Sequence, residues 1–233
     1  RGVSPRVVRA AVIGSGGVSW ISGSQLRFKL DLRDTWVTVR SLSISPAKAD
    51  GATITRGDTV TLKGRLYPAL PDGATVTLNL VRDGVRSTRT LPTTRRTQRL
   101  GDTLTAKYSA YSVTLKPGRT TTYYVSRAAL RSPRTLVTVR PAVTLQAKPT
   151  SVKAGGAVTF TGTVTPALKG VTARLQARRD GVWSDAQKVP LDGSGAFTTK
   201  WTAVAGVTAV RLRVPATEYL AAGTSPGVAL TVK

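Results

Sequence analysis

The chain of 233 residues contains no cysteine, no histidine and no methionine, and only one glutamate, Glu218. Without cysteine there is no disulfide framework and no thiolate metal site, and without histidine the common zinc constellations are excluded as well. Serine and cysteine hydrolases that rely on a histidine base are excluded for the same reason. Acids are scarce: 11 Asp plus Glu stand against 35 Lys plus Arg. Glycoside cleavage needs a carboxyl group with a raised pKa, and hydrolysis usually needs two. Four of the ten aspartates sit in Asp-Gly turn contexts instead, at Asp72-Gly73, Asp83-Gly84, Asp180-Gly181 and Asp192-Gly193. There the side chain bonds its own backbone and tolerates the turn. No catalytic residue, metal ligand or cofactor is expected. No apolar run approaches the roughly 20 residues of a membrane-spanning helix.

What the chain does have is a strand written twice. Thr61-Leu62-Lys63-Gly64-Arg65-Leu66-Tyr67-Pro68-Ala69-Leu70 returns 98 residues later as Thr159-Phe160-Thr161-Gly162-Thr163-Val164-Thr165-Pro166-Ala167-Leu168. Alternate positions are apolar or glycine and their neighbours are Thr, Lys, Arg or Tyr, the period of a half-buried strand. A second echo, Arg82-Asp83-Gly84-Val85 against Arg179-Asp180-Gly181-Val182, places an Asp-Gly turn after an alternating run in each copy.

Two echoes in register predict two copies of one domain, over residues 42–140 and 141–233, after an N-terminal piece of residues 1–41. Strands are expected at Val60–Leu66, Thr75–Val81, Tyr111–Leu115, Thr121–Val125 and Leu136–Val139. The second copy repeats them at Val143–Ala147, Ala157–Val164, Ala173–Ala177, Ala196–Thr202, Val207–Val214 and Val228–Val232. Short strands with Pro and Gly between them and no long helical pattern predict an all-β fold of two tandem immunoglobulin-like β-sandwiches. The N-terminal piece reads as β-β-α-β. A hairpin turns at Gly14–Gly17, Ser22 or Ser24 caps a helix from Gln25 to Leu30, and Thr35–Val39 returns as a strand. Trp20, Trp36 and Trp201 lie on strand patterns and are expected to pack.

Two stretches resemble known families. Val12-Ile13-Gly14-Ser15-Gly16-Gly17-Val18-Ser19, Ile21-Ser22-Gly23-Ser24-Gln25-Leu26-Arg27 and Leu30-Asp31-Leu32-Arg33-Asp34-Thr35-Trp36-Val37-Thr38-Val39 are similar to the C-terminal end of a SpoIID/LytB domain. Members of that family are wall-associated, and the sporulation members are lytic transglycosylases acting on peptidoglycan. The family's catalytic glutamate lies upstream of the matching stretch, so the resemblance implies a non-catalytic C-terminal part of a longer secreted protein. Residues Gly162, Val164, Pro166, Leu175, Gln176, Arg178, Gly181, Trp183, Asp192, Gly195, Phe197 and Ala222–Pro226 resemble the immunoglobulin-like modules of secreted actinobacterial wall enzymes.

The net charge is +24, a field that draws in polyanions. The densest run is Arg86, Arg89, Arg95, Arg96 and Arg99 with no acid between them. Arginine suits forked contacts with carboxylate or phosphate, so this run is the first candidate for an anion contact. Its other reading is an edge strand or loop defended by charge. Arg174, Gln176 and Arg178 alternate on the outer face of one strand and Arg211 and Arg213 on another, a second patch if those strands are neighbours. Trp183, beside an Asp-Gly turn, suits sugar stacking or folds back on the sheet.

The expected partner is peptidoglycan or another anionic wall polymer, with the chain as a targeting and spacing region. The alternatives are a structural or adhesive surface protein and, with less behind it, a nucleic-acid binder, for which the chain has no recognition motif and too few arrayed aromatics.

Overall fold

Val60, Leu62 and Leu66 are buried along Val60–Tyr67 while Thr61, Lys63 and Arg65 are exposed, the one-face burial that alternation demands. The computed structural model describes residues 7, 9–14, 17–33, 40–46, 51–99 and 105–233. It begins with a hairpin, β1 (Arg9–Gly14) and β2 (Gly17–Ser22), running into helix α1 (Gly23–Lys29). Ser22 caps the helix. Its hydroxyl accepts from the Gln25 amide and the Gln25 side chain accepts from the Ser22 amide, a reciprocal capping box. The strand expected at Thr35–Val39, with Trp36, lies outside the described residues.

The first repeat holds β3 (Ser41–Leu42), β4 (Ala52–Thr55), β5 (Val60–Tyr67), β6 (Thr75–Arg82), β7 (Val85–Pro92), β8 (Thr94–Arg99), β9 (Thr105–Leu115), β10 (Thr121–Arg127), β11 (Leu130–Arg131) and β12 (Thr135–Arg140). The second holds β13 (Ala142–Val143), β14 (Gln146–Lys148), β15 (Ser151–Val152), β16 (Ala157–Thr165), β17 (Thr172–Arg179), β18 (Val182–Pro190), β19 (Ala196–Thr202), β20 (Val207–Val214), β21 (Gly223–Thr224), β22 (Val228–Ala229) and β23 (Thr231–Val232). Strands β7, β8 and β18 were not assigned from sequence. Each carries more exposed than buried residues, so the apolar alternation that marks the others is weak in them.

In the first repeat one sheet runs β4-β12-β10-β6-β7 with β11 on β10, and another runs β3-β5-β9-β8. A single core lies between them, with Leu42, Ile44, Leu62, Leu66, Tyr111 and Val113 from one side and Val76, Leu78, Leu91, Tyr123, Val125 and Val137 from the other. A second, separate core centres on Val158, Phe160, Leu175, Val210 and Leu212. The two Asp-Gly echoes close the β6–β7 and β17–β18 hairpins. Asp83 and Gly84 have φ of 51° and 76°, and Asp180 and Gly181 of 50° and 81°. Both central residues are left-handed, the turn whose twist matches a two-residue hairpin.

The immunoglobulin-like sandwich expectation needs correction. The structure is all-β and built from several sheets with little helix, but among the described residues none of the sheets is closed or strongly curled. The second repeat is divided among a four-, a five- and a two-stranded sheet. Parallel pairs, β4 with β12 and β15 with β23, enter what should be antiparallel pairing. The short strands β13 and β14 take separate stretches of β16 instead of forming one continuous edge. Alternation and turn spacing report strands and their faces, and they do not report how sheets are joined.

The two repeats touch through the segment after β20. The Thr120 amide donates to the Tyr219 carbonyl at 2.9 Å and the Ala221 amide to the Val139 carbonyl at 2.9 Å. The Arg119 guanidinium lies 4.4 Å above the Tyr219 ring. No helix among the described residues is long and apolar enough to cross a membrane.

Candidate anion-binding site

The site begins with the repeated glycine. A side chain at Gly64 would overlap the Ser43 carbonyl oxygen and the Tyr111 phenol. The missing Cβ lets Tyr111, 3% exposed, pass beneath β5 and donate its hydroxyl to the Ser43 carbonyl. Burial pushes the Tyr111 hydroxyl pKa up, so it stays a donor at every physiological pH. Gly162 does the same work in the second repeat, where a Cβ would overlap the Thr144 carbonyl and come within 2.7 Å of the Phe197 ring.

Above this crossing, the outer face of the β3-β5-β9-β8 sheet forms an open cleft of about 600 Å³. Register explains its lining. Lys63 on β5 faces Ser112 on β9, Arg65 faces Ala110, and Tyr108 on β9 faces Arg96 on β8. Ser43 and Ser45 close one side and Thr94 the other, and among the described residues no acid lines it. Arg65 is held in place, its guanidinium 4.8 Å above the Tyr108 ring and its Nη1 donating to Gln98 Oε1 at 2.6 Å. Tyr67 donates to the same oxygen at 2.9 Å, and its ring lies 5.4 Å from that of Tyr108. The side chains of Lys63 and Arg96 have no hydrogen-bond or ion-pair partner among the described residues. Three cations thus border an acid-free, hydroxyl-rich surface, an arrangement that lowers the free energy of any bound oxyanion.

The five arginines of the basic run are divided by the fold. Arg86 and Arg89 lie on β7, an edge of one sheet, and Arg95, Arg96 and Arg99 on β8, an edge of the other. Arg86 is occupied: its Nε and Nη2 donate at 2.9 and 2.5 Å to Oδ1 of Asn79, which is fully buried. Arg89 is exposed, opposite Leu78. On β8, Arg96 shares the parity of the cleft face, whereas Arg95 and Arg99 have the opposite parity. The run thus lies on two charged sheet edges, and Arg96 also forms one wall of the cleft.

Lys63, Arg65, Tyr67, Gln98 and Tyr108 were missed. Their outward alternation on β5 was readable. What was not readable was that β9 would lie between β5 and β8 and set Arg65 beside Gln98.

The second patch is assembled as its condition required. Strands β17 and β20 are neighbours, pairing Arg174 with Arg213 and Gln176 with Arg211. Trp183 on β18 sits opposite Arg178 and is half-buried. Arg211 lies 4.3 Å over its ring. Trp201 is buried, but Trp20, expected to pack, is 46% exposed with Arg9 4.4 Å over its ring.

The aspartates hold backbone and side chains. Asp58 accepts from the Thr55 amide, Asp192 from the Ser194 amide and hydroxyl, and Asp185 from Gln176. Those Ser194 donors hold the Asp192 carboxyl below its ordinary pKa. Glu218 lies in an irregular segment beside Tyr219, whose hydroxyl pKa it raises, first by hydrogen bonding and then by charge. Among the described residues no group of three or more acids could hold a metal ion.

No protein-family model matches the chain, and no curated protein matches it. The SpoIID/LytB and immunoglobulin-like labels find no support in these comparisons and are withdrawn. Eight of the residues behind the first, Ser15, Gly16 and Asp34 to Val39, also lie outside the described part.

Proposed function

We propose that the chain is a non-catalytic binding region that holds an anionic cell-wall polymer outside the bacterial cell, with the cleft of the first repeat as its main contact. The observation that carries this reading is the acid-free cleft in which Lys63, Arg65 and Arg96 surround Tyr108. The net charge of +24 supplies long-range attraction. The serine row and a single stacked tyrosine suit a hydroxylated chain bearing oxyanions. Extended single-stranded nucleic acid is served by several arrayed aromatics, which the cleft lacks.

The test is sedimentation of the chain with purified cell wall across a salt series, beside a Lys63→Ser/Arg96→Ser variant. Salt-sensitive pelleting is expected, because exposed charges are screened within a Debye length. Loss of two charge-assisted contacts should weaken it by about tenfold or more. Pelleting that persists in high salt, or that the variant retains in full, overturns the reading.

A further inference from the structure

We propose that the outer face of the β18-β17-β20 sheet is a second anion-binding site, built on Arg211 with Arg174, Arg178 and Arg213, so that the chain grips one polyanion at two places. This rests on the polyanion reading above and adds to it a second site and a two-point mode of binding.

The site depends on a buried amide. Gln176 is 5% exposed on the outer face of β17, and both ends of its side chain are engaged. Its Nε2 donates to Asp185 Oδ1 at 2.8 Å, and its Oε1 accepts from Arg211 Nε at 2.9 Å. Arg211 is thereby fixed over the Trp183 ring, 4.3 Å from its centroid. Only Nε is used. The two terminal nitrogens have no hydrogen-bond or ion-pair partner among the described residues and form a preorganised fork of the kind that matches an oxyanion. Arg213, Arg174 and Arg178 lie on the same face through the β17–β20 register. Among the described residues the face has one acid, Asp185, half-exposed and paired with Arg174 Nε at 3.9 Å, a single solvated charge against four guanidinium groups.

The first repeat shows that this arrangement is not a packing necessity. Asn79 pairs with Tyr124 where Gln176 pairs with Arg211, and Val81 with Arg86 where Arg178 pairs with Trp183. Each repeat has an amide, a guanidinium and an aromatic ring at matching positions, but the last two have changed places. In the first repeat the arginine comes from the hairpin strand and gives both Nε and Nη2 to the amide. The exchange in the second repeat leaves the guanidinium with its terminal edge unengaged.

The experiment titrates the ¹⁵N-labelled full chain with tripolyphosphate and follows the Trp183 indole N–H, assigned with Trp183→Phe. The signal should move saturably in the natural chain and equally in a Lys63→Ser/Arg65→Ser/Arg96→Ser variant. In Arg211→Lys the apparent affinity at that signal should fall about tenfold. The second measurement compares long poly(glycerol phosphate) with polygalacturonate, which separates phosphate from carboxylate preference. Whichever polymer binds should lose about a hundredfold in affinity when either site is disabled, the gain expected of linked sites. Arg174→Ser/Arg178→Ser disables the second site at exposed positions and leaves the Gln176 cluster intact. A Trp183 signal that stays still while the Lys63 amide moves overturns the second site alone, as does full-strength polymer binding by Arg174→Ser/Arg178→Ser. If neither signal moves and no polymer binds, both readings fall together.

Discussion

At the scale of single residues, Gly64 and Gly162 do more than their place in an alternating strand suggests. Both occupy positions where the pattern asks for an apolar side chain, and in both the absent Cβ makes room for an aromatic ring from the neighbouring strand. Gly64→Ala drives a methyl group into the Ser43 carbonyl and the Tyr111 phenol, and backbone has little room to yield. A loss of about 2 kcal/mol is expected in urea unfolding. Tyr111→Phe introduces the ring type the second repeat uses at Phe197 and removes only the hydrogen bond to Ser43. It should cost less, about 1 kcal/mol. The reverse order would show that the hydroxyl, not the crossing, holds β3 against β5.

At the scale of elements, hairpin β6–β7 shows what a sequence can and cannot tell. The Asp-Gly echo and the alternation of Thr75–Arg82 give the first strand, the turn that follows it and the buried face, but not the returning strand β7. The fate of Arg86 was hidden, because it depends on Asn79, which looks like a solvent-facing residue in an alternating run. In the structure Asn79 is walled in by Arg86 and by Tyr124, with Arg134 5.8 Å from the same ring. Its Nδ2 reaches Ser126 Oγ at 2.9 Å. An outer sheet face becomes a small polar interior, which periodicity cannot signal. Asn79→Ala should cost about 2 kcal/mol, because a fully buried amide loses its hydrogen bonds to Arg86, Ser126 and the Tyr124 carbonyl. A double-mutant cycle with Arg86→Ala should return a coupling of about 1 kcal/mol or more. Coupling near zero would mean that Arg86 swings to water at no cost. The cleft was hidden for a different reason. It joins β5 to β8 across β9, and no local signal in the chain specifies that order.

At the scale of the whole molecule, the charge should be nearly constant over a wide range of pH. With neither histidine nor cysteine in the chain, no side chain of those types titrates between the carboxylates and the tyrosines and lysines. Polymer binding should therefore be flat from about pH 5 to pH 9 at fixed salt, while changing steeply with salt at fixed pH. A midpoint near neutrality in a pelleting curve would point to a titrating group on the polymer. The acid limit of stability has a local component. The Asp192 carboxyl is depressed in the folded chain, so its contribution is present above the unfolded carboxylate value, about 3.9. It is lost as pH falls through the lower folded value.

The joint between the repeats has a consequence for what kind of polymer the chain can distinguish. Thr120 and Tyr219, with Val139 and Ala221, tie the end of one core to a segment of the other by main-chain hydrogen bonds. The gap between the cleft and the Trp183 face is thus set by geometry, where a flexible tether would leave it to chain statistics. Such an object works as a gauge: a polymer whose charge spacing and stiffness match the gap engages both faces, and one that must stretch or buckle to reach engages one.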